Sequence, residues 1–104
     1  MKVLVVVPKK KPFVKEIDGS LKSMQDIVGG DIQVVIPWDD DVALVCNDEG
    51  KIDGLELNRA IKNEDGETIE IIAGTFFLCY APIDSGELSS LSDDLIMKYT
   101  KVFY

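Results

Sequence analysis

The sequence predicts a single α+β domain over residues 1–104, built as a mostly antiparallel β-sheet with two short helices packed on one of its faces. Three observations lead there. The apolar residues fall in short runs rich in Val and Ile, of strand length and bounded by Pro, Gly or Asp. Only two segments space their apolar residues helically, and each begins behind a serine that can cap it. The connections between runs are too short to hold several helical crossovers, which parallel strands would need.

Lys2 to Val7 is a continuous β-branched run, as expected of a buried strand, and Pro8 ends it. Lys9-Lys10-Lys11-Pro12 is an exposed loop, Phe13 to Ile17 a second strand, and Asp18-Gly19 a turn. Behind Ser20, the spacing of Leu21, Met24, Ile27 and Val28 predicts a helix over 21–28, which Gly29-Gly30 stops in the left-handed region. Ile32 to Ile36 and Val42 to Cys46 read as strands forming a hairpin across Pro37-Trp38-Asp39-Asp40-Asp41.

Asp48-Glu49-Gly50, Asp53-Gly54 and Asn63-Glu64-Asp65-Gly66 are turn signals. Between them Leu57, Ala60 and Ile61 fit one helical turn, so the state of Leu55 to Ile61 stays open. Ile69 to Ile72 and Thr75 to Tyr80 are either one strand bent at Gly74 or two elements that meet there. Pro82 to Leu91 is a loop. Ser92 caps a closing helix with Asp93 and Asp94 in its first turn, and Leu95, Ile96, Tyr99, Val102 and Phe103 form its apolar face.

Composition removes several function classes. No apolar stretch approaches the roughly 18–20 residues of a membrane span. The opening Met1 to Phe13 has only a short apolar run followed by lysines, unlike a cleaved leader, so the protein is expected in the cytoplasm. Cys46 and Cys79 lack metal-ligand spacing, and with no histidine in the chain they read as buried free thiols. The absence of histidine also removes Ser-His and Cys-His nucleophile pairs. No glycine-rich phosphate loop occurs and no cofactor is implied. Asn63-x-Asp65-x-Glu67 alternates oxygen ligands, but Gly66 is misplaced for a calcium loop.

The net charge of −8 is concentrated in one region. Residues 1–38 hold six lysines and four acids, residues 39–70 eleven acids and three bases, and residues 71–104 four acids and two lysines. Such a surface repels nucleic acid and attracts basic partners, including proteins that ordinarily hold nucleic acid.

Within that acidic third lies the only arginine, Arg59, whose guanidinium can form a fork to a phosphate or carboxylate or pair with a neighbouring acid. Asn58 beside it can cap a turn or read a polar ligand edge. Trp38 is either a rim residue over the core or a stacking platform. Phe76 and Phe77, adjacent on a strand, face opposite sides, and both are expected in the core unless one meets a ligand or second subunit.

The segments VKEIDGSL, VGGDIQVV, DDDVALVCNDEGKIDGLELNRAI and DGETIEIIAGTFFLC resemble domain-of-unknown-function family 3846. Its most specific strings are Asn47 to Ala60 and Ile72 to Phe76, and the likeness runs from about Lys2 to Tyr80. Members often have Leu-Pro before Asn-Arg, where this chain has Glu56-Leu57. The resemblance implies a small protein of phages, plasmids and conjugative elements of Gram-positive bacteria, with no known catalysis.

Together these readings predict a non-enzymatic, homo-oligomeric binding module. In the first form it is a counter-defence protein that sequesters a small nucleotide-like immune signal through Arg59, Asn58, Trp38, Asn47, Gly74, Thr75 and Phe76. In the alternative, Asp39, Asp40, Asp41, Asp48 and Glu49 dock on a basic, nucleic-acid-binding surface of a host defence protein. An enzyme that degrades such a signal with carboxylates and a metal is the third and weakest form. No direct nucleic-acid or membrane contact is expected.

Overall fold

A computed structural model describes residues 1–104. The elements run β1 (Lys2–Val6), β2 (Phe13–Glu16), α1 (Leu21–Val28), β3 (Ile32–Val35), β4 (Val42–Asn47), β5 (Leu57–Lys62), β6 (Thr68–Ala73), β7 (Phe76–Tyr80) and α2 (Asp93–Val102). Five strands form one antiparallel sheet in the order β2-β1-β7-β4-β3, and β5 and β6 form a separate two-stranded ribbon. The α+β class and the antiparallel pairing are those expected from the sequence.

The helices, however, lie on opposite faces of the sheet and not on one. Leu4, Val6, Val42, Leu44, Phe76 and Leu78 point to a face covered by Tyr99 and Phe103 from the α2 end and by Ile61 and Ile72 from the ribbon. Val3, Val5, Ala43, Val45, Phe77 and Cys79 point the other way, toward Met24 and Val28 of α1. The cause is the continuity of the apolar runs. Successive strand residues face opposite sides, and β4 is buried at every position. A strand without a polar face needs a cover on both sides. Phe76 and Phe77 are accordingly both fully buried.

The helix caps follow the local sequence. Ser20 Oγ accepts the Ser23 N–H at 3.1 Å, and Gly29 closes α1 with φ 80°. Ser92 Oγ accepts the Leu95 N–H at 3.3 Å, with Asp93 and Asp94 in the first turn. In α2, Tyr99 is buried and Leu95 and Ile96 pack against the core, but Val102 is 58% exposed, off the face assigned to it.

Of the stretch Leu55 to Ile61, the part from Leu57 onward is a strand, β5, and Leu55-Glu56 lead into it. Backbone pairing with β6, from Leu57↔Ala73 to Lys62↔Thr68, overrides the single turn of helical spacing. Asn63 Oδ1 accepts the N–H groups of Asp65 and Glu67, both at 3.0 Å, so this oxygen builds the hairpin turn. Of the two arrangements considered at Gly74, the structure has two elements: β6 ends in the ribbon and β7 begins in the sheet. Gly74 makes the passage with φ 85°, and its N–H donates to Glu56 O at 2.7 Å. A Cβ there would lie 2.7 Å from Leu55 Cδ1. Cys46 and Cys79 are free, buried and on opposite faces. No helix is long and apolar enough to cross a membrane.

Gly74→Ala should lower stability by about 1–3 kcal/mol, from left-handed strain together with the Leu55 clash. Urea denaturation should show this as a lower midpoint with an unchanged slope.

Candidate functional site

Six of the residues singled out in the sequence, Asn58, Arg59, Gly74, Trp38, Phe76 and Thr75, converge around the carboxyl end of α2. Asn58 Nδ2 donates to Val6 O at 2.8 Å and to Gly74 O at 2.9 Å, while its Oδ1 accepts from Arg59 Nη1 at 2.9 Å. Arg59 then donates from Nε and Nη2 to Phe103 O, at 3.2 and 3.0 Å, and from Nη2 to Lys10 O at 2.7 Å. These two side chains therefore join the end of β1, the Gly74 corner, the lysine loop and the last turn of α2. Arg59 pairs with no carboxylate despite the acidic sequence around it. Its cation sits instead at a helix C-terminus, where carbonyl oxygens favour positive charge.

Aromatic packing closes the junction. The Phe103 ring meets Phe76 edge-on at 5.5 Å, and Trp38 stands 4.6 Å from Tyr99 and 6.1 Å from Phe103. Trp38 Nε1 donates to Lys62 O at 2.9 Å. Trp38 is thus a rim residue locking the ribbon onto the core, and Phe76 is wholly covered. Thr75 is half-buried beside them. This convergence makes a packed joint in which each guanidinium nitrogen already has an acceptor within the chain, so the fork anticipated for a ligand faces Phe103 O, Lys10 O and Asn58 Oδ1.

The aspartate triplet is divided. Asp40 accepts the Tyr99 hydroxyl at 2.6 Å and Lys98 Nζ at 2.9 Å, while its Oδ1 is buried without a partner. Burial pushes its carboxyl up, but the hydrogen bonds from Tyr99 and Lys98 outweigh this and hold it below the usual range. Tyr99 is pushed far up by burial and by Asp40. Asp39 is exposed, and Asp41 takes φ 59° at the turn into β4. No group of three or more cysteine or acidic side chains is arranged to hold a metal ion.

An open groove lies elsewhere, between β3 and β6. It consists of two adjoining depressions of about 270 and 140 Å³ that share Val35, Glu70 and Ile72. Gln33 and Val35 line it from β3, and Ile71 and Ile72 from β6. The turn Asn47 to Ile52 closes one end, and Pro37, Ile61 and Ile69 line the other. Its rim is acidic: Asp48 and Glu49 are exposed, and Glu70 is paired with Lys51 at 2.6 Å. The hydrogen bond from Lys51, and then that from the Ile71 amide, hold the Glu70 carboxyl below the usual range.

Asn47 is the predicted ligand residue that does reach this groove. Its side chain is buried, donating to Val28 O at 3.2 Å and accepting the Glu49 N–H at 2.8 Å, and so it shapes the acidic turn. Gly50 lets that turn approach β6 closely, since a Cβ there would lie 2.7 Å from Ala73 O. Asp48 and Glu49 stand out in the sequence as acids of a turn, whereas Gln33, Val35, Glu70 and Ile71 meet only when the ribbon folds over the sheet. Ile52 at 84% exposure and Ile71 at 43% add apolar surface to the acidic rim.

A family model described as "Domain of unknown function (DUF3846)" matches residues 1–104. The chain belongs to that family. No curated protein matches it, and no solved structure does. The family description attaches no activity to any of the residues above.

Two outcomes follow for the joint. Arg59→Lys keeps the charge but loses the planar fork, and should cost about 1–3 kcal/mol in urea denaturation, with faster amide exchange in α2. At Asp40 the folded pKa is lowered, so its stabilisation is complete above the ordinary value of about 3.9 and is lost as pH falls through the lower folded value. The Tm advantage of wild type over Asp40→Asn should therefore be constant above about pH 5 and shrink on acidification below about pH 4.

Proposed function

We infer that this protein is a non-enzymatic docking module whose acidic groove between β3 and β6 receives a basic segment of a partner protein. The observation that carries this reading is the combination found there. Exposed Ile52 and Ile71 and the half-buried Val35 lie among Asp48, Glu49 and Glu70, in an open depression of about 270 Å³. Apolar surface supplies affinity, and the surrounding negative field supplies selectivity and a faster approach for cations.

The same field opposes a phosphate-bearing small molecule. The arginine that would offset it is engaged by Phe103 O and Lys10 O. The geometry thus favours the protein-docking form of the binding module over sequestration of a nucleotide-like signal. In the mobile-element setting implied by the family resemblance, the partner is a nucleic-acid-binding defence protein in the host cytoplasm, and the acidic rim occupies the place of phosphates.

The probe is an acetylated peptide of alternating lysine and valine, titrated calorimetrically. Binding should weaken steeply as salt rises. It should fall about tenfold or more in the Asp48→Lys, Glu49→Lys double variant. Equal binding of a glutamate-valine peptide overturns the reading, as does a thermal shift with a cyclic dinucleotide when the basic peptide gives none.

A further inference from the structure

We propose that the basic segment binds by strand addition, pairing its backbone with the free edge of β3 as a sixth strand of the sheet. This rests on the docking function proposed above and specifies how the groove is filled.

The sheet has two edges, β2 and β3. Natural sheets blunt their edges with charges, prolines or bulges, because unpaired N–H and C=O groups recruit other strands. The β2 edge carries Lys15 and Glu16 and follows Pro12. In the ribbon, Glu70 Oε1 takes up the Ile71 N–H at 2.9 Å and is itself bound by Lys51. On β3 such residues stand only at the ends, Asp31 before it and Pro37 after it. From Ile32 to Ile36 it has no charge and no proline, and its pairing with β4 is regular throughout.

The hydrogen-bond phase shows which groups are open. Asp48 N donates to Asp31 O at 2.9 Å, and these residues sit opposite each other one step beyond the Ile32↔Asn47 pair. Directly opposed residues of an antiparallel pair exchange hydrogen bonds only at alternate positions. Gln33 and Val35 therefore use their N–H and C=O groups on β4, while those of Ile32 and Val34 point outward. Side chains of an added strand opposite Gln33 and Val35 would extend over the groove toward Ile71. Basic residues at its end would meet Asp31, Asp48 and Glu49. Main-chain pairing supplies affinity in this mode, and alternate side chains supply specificity.

The deciding experiment is amide hydrogen exchange by NMR on the full chain with the same lysine-valine peptide, together with the variant Val34→Pro. Proline at 34 removes an outward N–H that β4 does not use, so the fold should persist. The expected result is at least about tenfold slower exchange of the Ile32 and Val34 amides on saturation, and about tenfold weaker peptide binding in Val34→Pro. Salt-sensitive binding that leaves both amides unprotected overturns strand addition while keeping acidic docking. No binding of the peptide overturns both. Protection that rises with protein concentration and without peptide makes the occupant a second copy of this chain and likewise overturns the proposal. The exchange measurement needs only wild-type protein, so it decides even where the variant fails to fold.

Discussion

Burial of β1, β4 and β7 on both faces is the constraint from which the rest of the architecture follows. Val3 to Val6, Val42 to Cys46 and Phe76 to Cys79 place apolar side chains above and below the sheet. One helix could cover only one side. α1 closes the face bearing Val5, Val45 and Phe77, and the opposite face needs both α2 and the ribbon, through Tyr99, Phe103, Ile61 and Ile72. A ribbon recruited to cover a face also leaves a margin where it meets the sheet edge. The groove is that margin: Val35 on one side, Ile71 on the other, and an acidic turn across the end.

The Asn58–Arg59 pair shows how a residue that stands out in sequence can serve architecture. A lone arginine in an acidic segment invites a ligand. Here its fork meets Phe103 O and Lys10 O, and Asn58 meets Val6 O and Gly74 O. Three regions distant in the chain, residues 6–10, Gly74 and Phe103, are thereby held by two side chains. Carbonyls at a helix end and in a loop are strong acceptors that must be satisfied when partly buried. A guanidinium, with five donors in one plane, suits several of them at once.

Charge and shape then act at different ranges. In the docking function proposed above, the excess of acids over residues 39–70 sets a field felt before contact, and the groove is where contact would occur. Asp40 belongs to neither, because Tyr99 and Lys98 draw it into the α2 joint. Asp48 and Glu49 remain exposed on the turn that Asn47 organises and Gly50 allows to approach β6. The electrostatic surface of this chain therefore depends on which acids the fold leaves exposed more than on how many there are.

Features governed by near neighbours were legible in the chain. The caps at Ser20 and Ser92, the left-handed stop at Gly29, the Asn63–Gly66 turn and the buried runs all depend on a few adjacent residues. So did the α+β class, since short runs with short links permit little else. What the chain could not disclose is where distant segments meet. Leu57 to Ile61 became a strand because β6 offered it a ladder. Helix α2 went to the face opposite α1 because that face was uncovered. Arg59 turned to carbonyls supplied by Lys10 and Phe103, far from it in sequence. The groove exists only where Gln33 and Val35 of β3 face Ile71 of β6. Local propensity reads out through hydrogen bonds a few residues long, whereas a site assembled from two sheets is set by the packing that brings them together.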